Sequence, residues 1–400
     1  MRLTILNQFY APDISPTAQI AASLAEHRAG QGDVVTVLAG RAGYVEGAAP
    51  TGLSASREAV HVRRVWTPDL GKSSVPRRLV GYLSFLAGAA GRVLLLPRQD
   101  VIVAMTTPPL VVAIALLHKL LHPSTKVILW SMDCYPDAAE RFGKLRPGGA
   151  VSRALRRLNR FVFRRLHHVI ALDGAMATLL FSQYAAGPER PSVSVVPNWE
   201  RQDRFPAGAE VAPWAGYEEL GIDGRTVVVY TGNAGVGHRF ETVLEAAALV
   251  QHEVVFVFIG GGARRAELEQ AAAERNLGNL MFRGYVSEAE AQGVMAGADG
   301  ALITLDDRSL GLMSPSKLHA NLAAGLPVVY VGPAGSNVDE AIHRFGCGTS
   351  LRGGDVEGLV AAVRRLREDP AARTRARTAF DQAYNDAVAL PQIDRIVDGP

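Results

Sequence analysis

Short apolar runs alternate with helix-length segments throughout this chain, the pattern of parallel α/β sheets. In the first half the spacing predicts strands over Leu3–Leu6, Val34–Leu38, His61–Val65, Val101–Ala104, Val127–Trp130, Val169–Ala171 and Ser194–Val196. Helices are expected between them, for example over Thr17–Ala29 and Gly174–Tyr184. In the second half strands are expected over Val227–Tyr230, Val254–Ile259, Leu280–Phe282, Gly300–Leu305 and Val328–Tyr330. The helices there are Phe240–Val250, Arg264–Arg275, Glu288–Met295 and Ser316–Ala324, with a last one over Ala371–Ala387.

Between the halves, Pro197–Pro213 is polar, proline-bearing and aperiodic, and reads as a linker. A chain of 400 residues exceeds one ordinary core and suits two. The expected division is 1–200, 201–370 and a C-terminal helical segment, 371–400, that crosses back to the first domain. Two such halves imply a cleft, with ligands beyond the carboxyl ends of the strands.

Composition narrows this only a little. The net charge is +3, and the basic residues are mostly Arg without surface aromatics interleaved on a sheet, so nucleic-acid binding is not indicated. Cys134 and Cys347 lie far apart with no CxxC, which argues against zinc or a disulfide framework. The most apolar stretch, Val101–Leu121, is broken by Thr106, Thr107, Pro108 and Pro109, so a strand, a turn and a buried helix explain it better than a bilayer span. Met1 leads almost directly into a strand, and a cytoplasmic location is expected.

The chemistry is expected at the strand ends of the second half. Gly232, Asn233, Gly235, Gly237 and His238 form a glycine-rich turn after the first of these strands. Small residues there let backbone N–H groups approach an anion at a helix N-terminus. A second run, Gly260-Gly261-Gly262, closes the next strand, and Tyr285 and Val286 follow the third, where they can meet a nucleotide base. The segment Ser314-Pro315-Ser316-Lys317 opens a helix that Gly325 ends. A cation in the first helical turn opposes the helix dipole, a cost that makes sense if Lys317 meets a diphosphate. Asp306 and Asp307 read as a solvated loop rather than a metal site. In the first half Asp133, Asp137 and Glu140 follow the fifth strand, and Asp133 is a candidate catalytic residue.

These segments resemble glycosyltransferase family 4, most closely the bacterial enzymes that build surface polysaccharides and O-antigens. The resemblance is carried by Asn7-Gln8-Phe9-Tyr10-Ala11-Pro12-Asp13, Trp130–Asp137, Thr231–Gly237, the Pro-Ser-Lys helix and the closing Ala323-Ala324-Gly325-Leu326-Pro327-Val328-Val329. It implies a GT-B fold, two Rossmann-like domains with parallel sheets facing across a cleft, and retention of anomeric configuration. It further implies a nucleotide-sugar donor, UDP- or dTDP-linked, with no metal or other cofactor required. Lys317 and the helix N-termini would then neutralise the leaving diphosphate. By the same resemblance Pro12, Ser15, Leu312 and Met313 join the donor loops as substrate-binding positions.

One departure stands out. Many relatives carry a Glu-x7-Glu pair whose positions here are Leu312 and Ala320, neither able to accept a hydrogen bond through its side chain. Asn321 or His319 is expected to serve the ribose instead, or the donor is one with fewer hydroxyls.

On the acceptor side, Arg153–Leu166 is two-faced. Arg153, Arg156, Arg157, Arg160 and Arg164 are expected on one face and Leu155, Leu158, Val162 and Leu166 on the other. With Pro76–Leu96, this helix suggests peripheral contact with an anionic membrane and a lipid-linked glycan acceptor. A soluble natural-product acceptor, or a nucleotide-sugar-binding subunit without turnover, remain the alternatives.

Overall fold

The computed structural model describes residues 1–13, 15–41, 59–68, 75–185, 187, 191–206, 208, 211–222 and 224–399. The chain divides into two units: Met1–Pro197 with Gly311–Met313 and Leu390–Pro400, and Asn198–Leu310 with Ser314–Ala389. Each holds one parallel sheet.

The first unit runs β1 (Arg2–Leu6), α1 (Pro16–Gly30), β2 (Val34–Gly40), β3 (Val60–Val65), α2 (Val75–Leu94), β4 (Val101–Ala104), α3 (Val111–Leu121) and β5 (Lys126–Trp130). It continues with α4 (Asp137–Arg141), α5 (Ala150–Phe163), β6 (His168–Ala171), α6 (Gly174–Tyr184) and β7 (Ser192–Val195). The strand order is β3-β2-β1-β4-β5-β6-β7, all parallel. β1 and β4 are neighbours although β2 and β3 intervene in sequence, so the order reverses between them.

The second unit runs α7 (Gly216–Glu219), β8 (Thr226–Thr231), α8 (Glu241–Leu249), β9 (Val254–Ile259), α9 (Arg265–Glu274), β10 (Leu280–Arg283), α10 (Glu288–Ala296) and β11 (Gly300–Thr304). Then follow α11 (Lys317–Ala323), β12 (Val328–Val331), α12 (Asn337–Phe345), β13 (Gly348–Leu351), α13 (Val356–Arg364) and α14 (Ala371–Ala383), and the last helix, α15 (Asp386–Asp398), starts in the second unit and belongs to the first from Leu390 onward. The order is β10-β9-β8-β11-β12-β13, again parallel, with the reversal between β8 and β11. The continuous apolar runs of β8 and β9 place them centrally, because such strands are covered on both faces. Phe240, Val243, Leu268, Leu359 and Val363 cover one face, and Leu318, Leu322, Val338, Ile342 and Phe380 pack in the layer on the other.

One expectation about elements is corrected and another gains detail. The expected linker contains a 3-10 turn over Gln202–Arg204, while Ala207, Ala209 and Glu210 lie outside the described residues. The helix expected over Ala371–Ala387 is two helices, α14 and α15, meeting at Asn385. That buried amide donates to the carbonyls of Phe380 and Asp381 at the end of α14, and its oxygen accepts from the N–H of Val388 at the start of α15. One side chain thus closes one helix and opens the next.

Within the first unit, α15 is tied to α1 by charge. The nearly buried Arg28 guanidinium pairs with Asp33 at 2.6 Å, Asp394 at 3.0 Å and Asp398 at 2.8 Å, and His27 lies 2.7 Å from Asp394. Removing one member of a buried ion pair strands its partners. Arg28→Ala should therefore lower the stability of the first unit by about 3 kcal/mol, read as a shift in the midpoint of urea unfolding.

Candidate active site

In an open parallel sheet the crevice for a ligand forms where the strand order reverses. In the second unit that point lies between β8 and β11, and the side chain of Lys317 reaches the loop that follows β8. Its ammonium donates to the Asn233 carbonyl at 3.0 Å and stands 4.6 Å from the centre of the Tyr230 ring, a cation–π distance. His238 Nε2 lies 3.5 Å away.

The tautomer of His238 follows from its partners. Nδ1 is 2.6 Å from the Thr304 carbonyl, which can only accept, so Nδ1 carries the proton and Nε2 turns its lone pair to the ammonium. Burial, and then the Lys317 charge, hold the imidazole pKa down to about 3, so it stays neutral. Lys317 keeps part of its own surface open, yet the protein around its ammonium disfavours the charged form and lowers its pKa to about 7. Ser316, ahead of Lys317, makes no side-chain cap on α11. The first N–H groups of a helix lack intrahelical acceptors and remain suited to an anion.

The two glycine loops meet backbone to backbone. Gly232 N–H donates to the Ile259 carbonyl and Ala234 N–H to the Gly261 carbonyl, both at 2.7 Å. Gly260 has φ +124° and Gly262 φ +129°. A Cβ on Gly260 would strike the Gly232 carbonyl, and one on Gly262 would strike the Ala234 carbonyl and the Asn233 amide. Only glycine fits both the conformation and the approach. Gly237 is held from β11: its carbonyl accepts from Asp306 N–H at 2.8 Å and from the Ser309 hydroxyl at 3.1 Å.

In the first unit Asp133 follows β5. Thr106 Oγ1, after β4, accepts from the N–H groups of Met132 and Asp133, both at 3.0 Å. Desolvation pushes the Asp133 carboxyl up to about 6. Arg78 and Tyr82 of α2 and Tyr135 share its electrostatic surroundings, and desolvation together with the Asp133 charge raises the Tyr135 phenol to about 12. The loop after Asp133 is clamped from α5. Arg156 pairs with Asp137 at 2.7 Å and Glu140 at 2.5 Å, Ser152 donates to Glu140, and Asn159 donates to the Tyr135 carbonyl at 2.6 Å.

Two family models match the chain, the Glycosyl transferase 4-like domain over residues 17–199 and Glycosyl transferases group 1 over residues 225–369. Among curated relatives, the probable glycosyltransferase WbjE of Pseudomonas aeruginosa is 28% identical over 298 residues, 73% of each chain. The putative colanic acid biosynthesis glycosyl transferase WcaI of Escherichia coli is 26% identical over 230 residues, 57% of this chain and 56% of its own. The chain belongs to the family 4 glycosyltransferases. Its fold is shared with Anabaena HepE in complex with UDP (TM-score 0.70, 16% identity, 100% of both chains). It is shared also with WaaG, a glycosyltransferase involved in lipopolysaccharide biosynthesis (TM-score 0.67, 19% identity, 99% of this chain and 100% of that one). The fold is GT-B, with two Rossmann-like domains.

The glycosyltransferase brings Gly232, Asn233, His238, Gly260, Gly261 and Lys317 together as one assembly, with Gly235 and Gly237 in the same loop and Ser314, Pro315 and Ser316 leading into α11. Tyr285 is exposed beside Gly261, and Val286 is partly buried. Tyr230, Thr304 and Arg264, which donates to the His238 carbonyl at 2.9 Å, escaped the sequence reading because their roles depend on adjacency across strands.

Several expected positions fall elsewhere. Asn321 and His319 are buried, and His319 lies against the Tyr384 ring, so neither presents its side chain to a ribose. Leu312 is buried in the first unit, where its carbonyl accepts from Cys134 N–H at 3.1 Å, and Met313 forms a bridge with Asp133. Ser15 caps α1 through Ala18 N–H, and Pro12 is half-buried nearby in sequence. Asp306 is no solvated loop residue: it is buried and paired with Arg308 at 2.7 Å. Among the described residues no group of three or more His, Cys, Asp or Glu side chains is placed to hold a metal ion. A hollow of about 700 Å³ opens beside Arg204, Gln292, Arg373 and Arg377, but these arginines are already paired or hydrogen-bonded within the protein.

Two outcomes follow from this geometry. Gly260→Ala should abolish nucleotide binding while far-UV circular dichroism remains close to that of the parent chain. A diphosphate will raise the pKa of Lys317 from about 7, so binding at pH 8 should take up a proton. The calorimetric enthalpy will then vary with the ionisation enthalpy of the buffer, and Lys317→Arg, always charged, should remove that dependence.

Proposed function

We propose that this glycosyltransferase is retaining and metal-independent, and moves a hexosyl or deoxyhexosyl unit from a UDP- or dTDP-sugar to a lipid-linked glycan precursor. The observation that carries this reading is the Lys317 ammonium, fixed beside the glycine loops at the reversal point of the second sheet. A built-in cation aimed at the diphosphate supplies the charge stabilisation that a divalent ion would otherwise provide. Asp306, whose N–H holds the Gly237 carbonyl of the same loop, has its carboxylate engaged by Arg308.

In this reading the bond between the anomeric carbon and the diphosphate oxygen breaks as the acceptor hydroxyl oxygen bonds to the same face of that carbon. The acceptor proton passes to the leaving diphosphate oxygen, and Lys317 balances the charge that develops there. Asp133, whose carboxyl is raised to about 6 by desolvation, orients the acceptor hydroxyl. Leu312 and Ala320, in place of the glutamates of many relatives, favour a donor that makes fewer hydroxyl contacts. The location that suits such an acceptor is cytoplasmic, with peripheral contact at the inner face of the cell membrane. No helix among the described residues is long and apolar enough to cross one.

The first test is calorimetric binding of UDP, dTDP, GDP and CDP to the intact chain and to Lys317→Ala. Selective binding of the uridine or thymidine nucleotide, weakened at least about tenfold by the substitution, is expected, a loss of about 1.4 kcal/mol or more. Failure of a folded chain to bind any of the four would overturn the donor site. Transfer should persist in chelator, and the product's anomeric signal by NMR should match the donor's. Donor binding without transfer to any acceptor extract would identify a subunit that has lost turnover.

A further inference from the structure

Tyr230, Phe258 and Phe282 are register partners across β8, β9 and β10, so their rings share one face of the second sheet. The ring centres are 5.3 Å apart at both steps. The Lys317 ammonium stands over the first ring, and the Arg265 guanidinium, from the first residue of α9, lies 5.6 Å from the centre of the last. The row has a cation at each end. Lys317 serves the diphosphate; Arg265 is committed to the main chain.

Arg265 Nε donates to Glu269 Oε1 at 2.7 Å, one turn along α9, and this orients the guanidinium plane. Its Nη1 donates to two carbonyls at once, those of Gly260 and Arg283, at the carboxyl ends of β9 and β10. Gly260 N–H also donates to the Arg283 carbonyl, at 3.1 Å. Two carbonyl oxygens turned toward one point repel each other, and a cationic donor between them removes that cost. A trans peptide is planar with its C=O and N–H on opposite sides, so fixing the Arg283 carbonyl toward β9 fixes the Gly284 N–H away from it. Gly284 has open space where a Cβ would be and no side chain to hold the turn. The course of the chain into Tyr285 and Val286 therefore follows from that one peptide plane. The Tyr285 ring lies against Gly261, close enough that a Cβ there would come within 3.1 Å of it.

We propose that Arg265 is a positioning residue for base recognition. By pinning the Gly260 and Arg283 carbonyls it directs the main-chain groups of Gly284–Val286 that read the edge of the donor's base, and so selects uracil or thymine over cytosine. This rests on the nucleotide-sugar donor proposed above, with its base at Tyr285 and Val286. Uracil and thymine present a carbonyl and a ring N–H where cytosine presents an amino group and a bare ring nitrogen, the reverse pattern. Main-chain donors and acceptors held in fixed directions reject the reversed edge, because mispairing leaves polar groups without partners. Arginine suits the task because its fork serves two carbonyls and Glu269 together.

The test is calorimetric binding of UDP, dTDP and CDP to the full chain and to Arg265→Ala, Arg265→Lys and Glu269→Ala. The parent chain should prefer UDP or dTDP to CDP by at least about tenfold. Arg265→Ala should weaken the preferred nucleotide at least about tenfold and CDP less than about threefold, so the preference collapses. Arg265→Lys, a charge without the fork, should keep only part of it. Glu269 is 42% exposed, so Glu269→Ala spares the fold, and it should lower the preference by a smaller step. In transfer assays Arg265→Ala should raise the donor KM and leave kcat unchanged, since the base is remote from the bond that breaks. An arginine that only supports the fold would lower the melting temperature with the preference intact, or weaken all three nucleotides equally, and either result overturns the proposal. Should Arg265→Ala not fold, Arg265→Lys and Glu269→Ala decide in the same terms. A parent chain that binds none of the three sinks the donor reading and this role with it. A parental preference that every variant retains sinks the role of Arg265 alone.

Discussion

The donor side of this molecule depends on holding one ammonium ion without a carboxylate. Lys317 is placed among a carbonyl, an aromatic face and an imidazole lone pair, each attractive to a cation and none able to neutralise it. A carboxylate in that position would satisfy the lysine permanently and leave nothing for a diphosphate. The partly desolvated site instead leaves the charge costly until an anion arrives. His238 contributes by remaining neutral, and the Thr304 carbonyl enforces this by taking the proton of Nδ1.

The backbone around that ion is equally constrained. Both loops that approach Lys317 end central strands whose apolar side chains are sealed on both faces, so their positions are inherited from the core. Gly260 and Gly262 then allow the loops to touch through main-chain atoms, which exposes N–H groups rather than side chains to a ligand. Small residues and one long cation make a site matched to a charged, oxygen-rich ligand.

Much of this was legible in the order of residues. The alternation of short apolar runs with helical lengths pointed to parallel sheets, and Lys317 at a helix start beside two glycine turns pointed to a diphosphate. What escaped was orientation. Asn321 and His319 share a short helix with Lys317, but one turn decides between surface and core, and both fall on the core side. The α5 pattern misled in part: Val162 and Leu166 are buried as expected, but Arg156, Asn159 and Ser152 also turn inward and are spent on the loop after Asp133. Asp306 looked solvated because its partner, Arg308, is only two residues away and the closure is a turn rather than a motif. β13 offered too short and polar a run to stand out.

The corner at Asn385 carries no spare residues. Its amide is committed on both sides, so chain length there cannot vary as it does in a loop. One residue inserted in α15 between Leu390 and Asp394 would turn the side chains beyond it by about 100°, moving Asp394 and Asp398 out of register with Arg28. Insertions and deletions among descendants of this sequence should be excluded from that corner as strictly as from the glycine loops.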